Sequence, residues 1–157
     1  MPRHKYKKNN IQADSVYKSS EVMKLINYIM LDGKKAVAEN IVYTVLENLK
    51  KIDQEPLKVF FAAIENTSPV HEVKPRRLGG ASYLVPTEVR KDRKLYLSLH
   101  WIIEAAKARS NKEYKSFANK LTAEITDAAK NQGQAIAKKA QTEKVADANK
   151  AFSHLKW

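Results

Sequence analysis

One stretch limits what this chain can fold into more than any other: residues 72–89, EVKPRRLGGASYLVPTEV. Its Gly79-Gly80 pair accepts the positive φ values of a two-residue hairpin turn. Centred on that turn, Leu78 pairs with Ala81, Arg77 with Ser82, Arg76 with Tyr83, Pro75 with Leu84, Lys74 with Val85 and Val73 with Pro86. Hydrogen-bonded and non-hydrogen-bonded pairs alternate outward from such a turn. Both prolines then fall in non-hydrogen-bonded pairs, where the ladder does not miss their N–H. The remainder of the chain has helical periodicity. The predicted fold class is therefore mainly α, a six-helix domain with a protruding two-stranded antiparallel β-hairpin. An isolated hairpin is marginal in water. This one carries Lys74, Arg76 and Arg77, which reads as an arm reaching toward a polyanion.

Charge supports that reading. Lys and Arg number 29 against 17 Asp and Glu, a net charge of +12, and so basic a chain has nucleic acid as its leading partner. An anionic membrane surface is the competitor, but there is no lipidation motif and no basic amphipathic anchor free of core duties. No apolar run is long enough to span a bilayer. Cysteine is absent, which excludes disulfides and thiolate metal sites and fits a reducing compartment. The placement of arginine is sharper than the net charge. Of six arginines, Arg76, Arg77, Arg90 and Arg93 sit in or just after the hairpin; the others are Arg3 and Arg109. Arginine is the planar donor suited to bidentate phosphate contacts and to stacking on bases. A single arginine would pass as part of a solvated face; four beside a hairpin favour nucleic acid.

Residues 1–18 read as a basic arm, with five bases against Asp14 and no apolar periodicity. Such an arm is expected to be disordered when free and to order on binding. Residues 19–157 read as one helical domain that includes the ribbon at 72–89. The first helix is predicted from Ser20 to about Leu31, capped by Ser19 or Ser20 and ended by Asp32-Gly33. The second runs to about Ile52 with Val37, Ile41, Val45, Leu46 and Leu49 inward. A third starts at Glu55-Pro56 and breaks at Ser68-Pro69. The fourth covers about Asp92 to Arg109, with Leu95, Leu99, Ile102 and Ala106 inward and Arg93, Lys94, Lys107 and Arg109 on its polar face. The fifth is expected to stop at Gly133, and the sixth to turn Ile136, Ala140 and Ala148 inward. Residues 72–94 hold seven bases and three acids, whereas 39–71 hold more acids than bases. The basic character is therefore regional, as a directed binding face requires.

Catalysis finds little support. His4, His71, His100 and His154 show no metal-ligand spacing, and no serine lies in a nucleophile elbow. An RNA-modifying enzyme, the rival class, would need a cofactor loop or a clustered acid–base set, and neither is present. The expectation is binding without chemistry: no enzyme, no cofactor, no catalytic residue, no metal and no small-molecule substrate.

Three segments carry a family resemblance: DGKKAVAENIVY (Asp32 to Tyr43), AIENTSPVHEVKPRRLGGASYLVPTEVR (Ala63 to Arg90) and ADANKAFSHLKW (Ala146 to Trp157). Together with the MPR start they resemble, in order and over essentially the whole chain, the bacterial form of universal small-subunit ribosomal protein number seven. That resemblance implies a six-helix domain with a protruding ribbon and a cytoplasmic location in the small ribosomal subunit. It implies a primary binder of the 3′ major domain of 16S ribosomal RNA (rRNA) that nucleates assembly of the subunit head. It further implies a place at the subunit interface near the tRNA exit site, with the ribbon close to exit-site tRNA and mRNA. Small-subunit ribosomal proteins nine and eleven are the implied neighbours. The chain departs from the family pattern at Pro75, His100 and Ala140-Gln141, and has Ala13-Asp14-Ser15 where the family has Pro-Asp-Pro.

The resulting candidates fall into two sets. Arg3, Lys5, Lys7, Lys8, Lys34, Lys35, Arg90, Arg93, Lys94 and Arg109 are expected on rRNA. Lys74, Arg76, Arg77, Gly79, Gly80 and Tyr83 are expected on the ribbon beside tRNA and mRNA. The mechanism expected is phosphate neutralisation on a scaffold that fixes the shape of a folded RNA junction.

Overall fold

A computed structural model of the chain describes residues 12–155. Six α-helices appear in order: α1 (Ser20–Ile29), α2 (Lys35–Ile52), α3 (Pro56–Thr67), α4 (Lys91–Ala108), α5 (Phe117–Ala129) and α6 (Gln134–Ala148). Between α3 and α4 stand β1 (His71–Leu78) and β2 (Ala81–Glu88), and a 3₁₀ helix (Lys150–Leu155) follows α6. The mainly helical fold with one antiparallel hairpin is as the sequence indicated. The core lies among α1 to α5, where Leu25, Val42, Leu46, Phe60, Leu99, Leu121 and Ile125 are almost wholly buried.

Local chemistry sets the boundaries. Ser19 caps α1, its hydroxyl accepting from the Val22 amide at 3.3 Å. Asp32 and Gly33 follow α1 at φ +53° and +72°, and the left-handed pair turns the chain into α2. Pro56 opens α3, where its missing N–H would have had no helical partner.

In α2, Val45, Leu46 and Leu49 are buried as expected, but the first half of the helix is phased one residue away from expectation. Ala38 and Val42 are buried, whereas Val37 is 56% exposed and Ile41 only half-buried. Residues 36–42 carry apolar side chains on two adjacent columns. Burying the column with the smaller Ala38 allows α1 to come close, and that packing decides the phase. Gly133 does not end α5. The stop is Asn131, at φ +58°, with its amide on Ala128 O and the Gln132 amide on Asp127 O. This is the paired C-terminal motif that asparagine can adopt in place of glycine. Gly133 instead precedes α6, at φ +96°.

The expected inward stripe of α6 is also corrected. Ala140 and Ala148 are exposed, Ile136 is half-buried, and Ala135 and Ala146 are the buried residues. With so little apolar surface, α6 is held by polar contacts. Lys139 Nζ donates to Asn66 O at 2.8 Å, Glu143 accepts the Val70 amide at 3.0 Å, and Lys138 pairs with Glu104.

The expected arm over 1–18 is folded at its C-terminal end. Asp14 is 2% exposed. Its carboxylate accepts from the Val16 and Tyr17 amides at 3.0 and 2.9 Å, and from the Tyr43 hydroxyl of α2 at 2.7 Å. Its backbone closes the same turn through Ser19 O and the Lys18 amide. Burial opposes the charge on Asp14, but these hydrogen bonds outweigh it and hold the carboxyl below its ordinary range.

A carboxyl held low stabilises the fold above its unfolded value and loses that contribution as pH falls through its folded value. Thermal melts from pH 7 downward should therefore show the anchor's contribution intact at neutral pH and fading below about pH 4. Asp14→Ala should cost about 1–3 kcal/mol at pH 7, the range for charge-assisted hydrogen bonds, and progressively less as the pH is lowered into the acid range. A pH-independent difference between the two proteins would show that Asp14 acts by shape alone.

Candidate nucleic-acid interface

The ribbon adopts the register that its two prolines and two glycines dictate. All six expected pairs are present, and the ladder extends through Glu72–Thr87 and His71–Glu88. Gly79 and Gly80 have φ +53° and +88°, which side chains with a Cβ rarely adopt. Cross-strand partners share a face. Arg76 and Tyr83 therefore lie on one side, and Arg77 and Ser82 on the other. The two sides differ: Arg76 and Tyr83 are half-buried, whereas Arg77, Ser82, Pro75 and Leu84 are exposed. Arg76 and Arg77, equivalent in the sequence reading, thus have separate settings, with Arg77 on the open side.

The base of the ribbon is part of the body. Val85 and Val89 are buried, and the Val89 amide donates to Val70 O at 3.0 Å. Glu72 lies 3.4 Å from Lys74 Nζ and 3.3 Å from Arg93 Nε. One carboxylate therefore joins a ribbon cation to a cation on the first turn of α4. Arg90, which caps α4, and Lys94 continue the patch. Lys74 and Arg93 thus meet on one carboxylate where the ribbon joins the helix; Arg76 shares the Lys74 face of the ribbon, and Arg77 lies on the other.

An aromatic tract extends from Arg93, and the sequence reading missed it. The Arg93 guanidinium lies 5.0 Å from the centre of the Tyr96 ring. Tyr96 stacks on His100 at 4.1 Å, and Tyr28 of α1 meets both rings edge-on at 5.6 and 4.9 Å. The signal was the 93, 96, 100 spacing, which lines up side chains on one helical face. His100 Nδ1 is buried without a hydrogen-bond partner among the described residues.

Lys34 and Lys35 sit at the bend between α1 and α2. Lys34 is exposed, and Lys35 makes a 3.7 Å pair with Glu39. Among the described residues neither α1 nor α2 touches the ribbon, so these lysines form a second basic site. Arg3, Lys5, Lys7 and Lys8 lie outside the described residues.

Arg109 has a different occupation from the one expected. Its Nε donates to Glu124 at 2.7 Å and its Nη1 to the Tyr114 hydroxyl at 3.1 Å, while Nη2 pairs with Glu124 and Asp127. Burial works against the charge, but the two carboxylates and the tyrosine hold the guanidinium protonated above its already high range. Glu124 is fully buried and also accepts the Ala135 amide at 3.1 Å. The sequence did contain the signal. Glu124 interrupts the apolar column of Leu121, Ile125 and Ala128, and a buried acid requires a cation.

A family model described as ribosomal protein S7p/S5e matches residues 1–150 of this chain. Among curated relatives, the small ribosomal subunit protein uS7 of Thermoanaerobacter pseudethanolicus is 47% identical over 159 residues, covering all of both chains. The protein of the same name from Thermodesulfovibrio yellowstonii is 49% identical, again over all of both. That of Rhizobium johnstonii is 46% identical over 99% of this chain and 98% of its own.

The internal role of Arg109 can be separated from an RNA contact. Arg109→Ala leaves Glu124 buried without its cation and should cost about 3–5 kcal/mol in urea unfolding, the range for breaking a buried pair. Measured where the variant remains folded, RNA affinity should keep its salt dependence. Unchanged stability with a weakened, flatter salt response would return Arg109 to the interface.

Proposed function

The chain belongs to the ribosomal protein S7p/S5e family, and on that premise we propose that its ribbon and the first turn of α4 form its main RNA-binding face. It is a structural constituent of the small ribosomal subunit of the cytoplasmic ribosome, an RNA-binding protein of translation and not an enzyme. Our reading is of a primary binder of the 3′ major domain of 16S rRNA that nucleates assembly of the subunit head. The observation that carries it is the Glu72 bridge, which merges Lys74 and Arg93 into one tract spanning a projecting ribbon and a rigid helix.

The work is electrostatic and geometric. Arg90, Arg93 and Lys94 stand on a helix whose other side is core, so phosphate contacts there are fixed in position at little conformational cost. Glu72 sits between two cations and leaves the tract positive while orienting both. Tyr96, stacked on His100 with the Arg93 guanidinium over its ring, holds that guanidinium in place for phosphate. Lys34 and Lys35 form a second point of attachment, and the basic residues Arg3, Lys5, Lys7 and Lys8 a third. The ribbon tip, with Arg77 and the Gly79-Gly80 backbone, is assigned to exit-site tRNA and mRNA at the subunit interface. Absence of a Cβ allows backbone to approach RNA closely there. Proteins nine and eleven of the small subunit are the proposed neighbours.

Two measurements test these assignments. Affinity for the rRNA junction should fall with salt along a log–log slope of roughly −4 to −5 if about six phosphates are neutralised. A nearly flat titration would argue for a protein-binding module instead. Replacing Pro75 to Leu84 by a two-residue turn should leave the helical domain folded and heads assembling, since the buried apolar residues lie almost entirely in the helices and at the ribbon base. Exit-site tRNA should then leave rebuilt ribosomes faster. Failure of the heads to assemble would extend the rRNA anchor from the ribbon base to its outer half and overturn the assignment of the tip to tRNA and mRNA.

A further inference from the structure

We infer that Phe152, in the 3₁₀ helix after α6, is a positioning residue for the ribbon: its ring braces Tyr83 and fixes the direction in which the tip points. The geometry of this brace is independent of what the tip contacts. Its consequence for tRNA rests on the function proposed above.

The ribbon is a lever. Its eight-residue strands span roughly 25 Å at about 3.3 Å per residue. The anchors already described, Val85, Val89, the Val89–Val70 bond and the Glu72–Arg93 pair, all lie toward its base. Anchors at one end restrain translation well and rocking poorly. Tyr83 lies five residues from the base end of β2, or roughly 17 Å out along the strand. The Phe152 ring meets it there, with centroids 5.3 Å apart and planes at 53°. That arrangement is within the range of favourable aromatic pairs. A contact so far out restrains rocking with more leverage than any contact at the base.

The brace stands on a firm footing. The Phe152 amide donates to Asn149 O at 3.0 Å, and Asn149 Nδ2 donates to Val145 O at 2.8 Å. The 3₁₀ turn is thus stapled to the end of α6. That helix is tied in turn to the body through Lys139 and Glu143. Beside the ring contact, the C-terminal segment and the ribbon base leave an open cleft of about 280 Å³, lined by His71, Pro86, Ala146, Asp147, Lys150 and Ser153. Around that cleft α6 packs against both strands and the 3₁₀ helix against β2, and the ring pair adds to this packing a contact on Tyr83, far out along β2.

The chain has no cysteine, so spin labels can be placed through Ser82→Cys near the tip and Lys107→Cys on α4, both exposed sites. Pulsed electron spin resonance on the otherwise full chain should give a narrow label–label distance distribution. Phe152→Ala should broaden it, raising the population of other ribbon orientations about two- to tenfold, the worth of an aromatic pair. Phe152→Tyr should restore the narrow distribution. Tyr83→Ala removes the contact from the ribbon side and should reproduce the broadening even if Phe152→Ala folds poorly; Tyr83→Phe should not. On rebuilt ribosomes Phe152→Ala should speed loss of exit-site tRNA by a similar factor with rRNA affinity unchanged. A distribution that stays narrow in Tyr83→Ala overturns the brace, whatever tRNA does. A broadened distribution with normal tRNA retention keeps the brace and overturns the assignment of the tip to tRNA.

Discussion

The buried carboxylate of Glu124 is the point on which the remote parts of this structure depend. It sits in α5, takes the Arg109 guanidinium from the end of α4, and accepts the Ala135 amide from the first turn of α6. Three helices therefore meet on two oxygens. A Cβ on Gly133 would come within 2.9 Å of one of them, so the residue before α6 must be small as well as left-handed. The net charge on the network is reduced by pairing, but the acid stays out of water, and only full hydrogen bonding makes that tolerable. Because α6 has little apolar surface of its own, its place is set by this carboxylate and a few polar ties. Whatever follows α6 inherits that placement.

The same logic explains what the residues disclosed and what they concealed. The ribbon was legible because constraints coincided: two glycines fix the turn, and two prolines reject most other registers. Helix existence was legible from apolar period, and Ser19, Asp32 and Pro56 marked boundaries because their chemistry acts within a few residues. The phase of the first half of α2 was not, since residues 36–42 offer two apolar columns and the choice belongs to the fit against α1. Asn131 was passed over for Gly133 because glycine is the commoner left-handed residue, while the actual stop rests on two backbone hydrogen bonds that no composition reveals.

Charged residues were hardest, because the meaning of a charge depends on its partner in space. Asp14 looked like a lone acid in a basic arm and is a buried anchor against Tyr43, 29 residues away. Arg109 looked like part of a basic face and serves Glu124, 15 residues away. By contrast, Arg93 follows the ribbon closely in sequence, so chain proximity brought it to the carboxylate that also holds Lys74. Basic residues close to one another along the chain could be grouped in advance. Pairs made across the core could not.

The opposite settings of Arg76 and Arg77 limit how a ribbon of this kind can change length. Strand side chains alternate with a period of two, so inserting one residue on each strand between the base and the arginines would exchange their faces. Arg77 and Ser82 would turn toward the half-buried side, and Arg76 and Tyr83 would together turn to the open one. A residue added to one strand alone would create a bulge and re-aim the tip. Ribbon length is therefore quantised, with balanced steps of two residues per strand as the smallest change that keeps each side chain on its face. Drift in length among related ribbons should follow that parity.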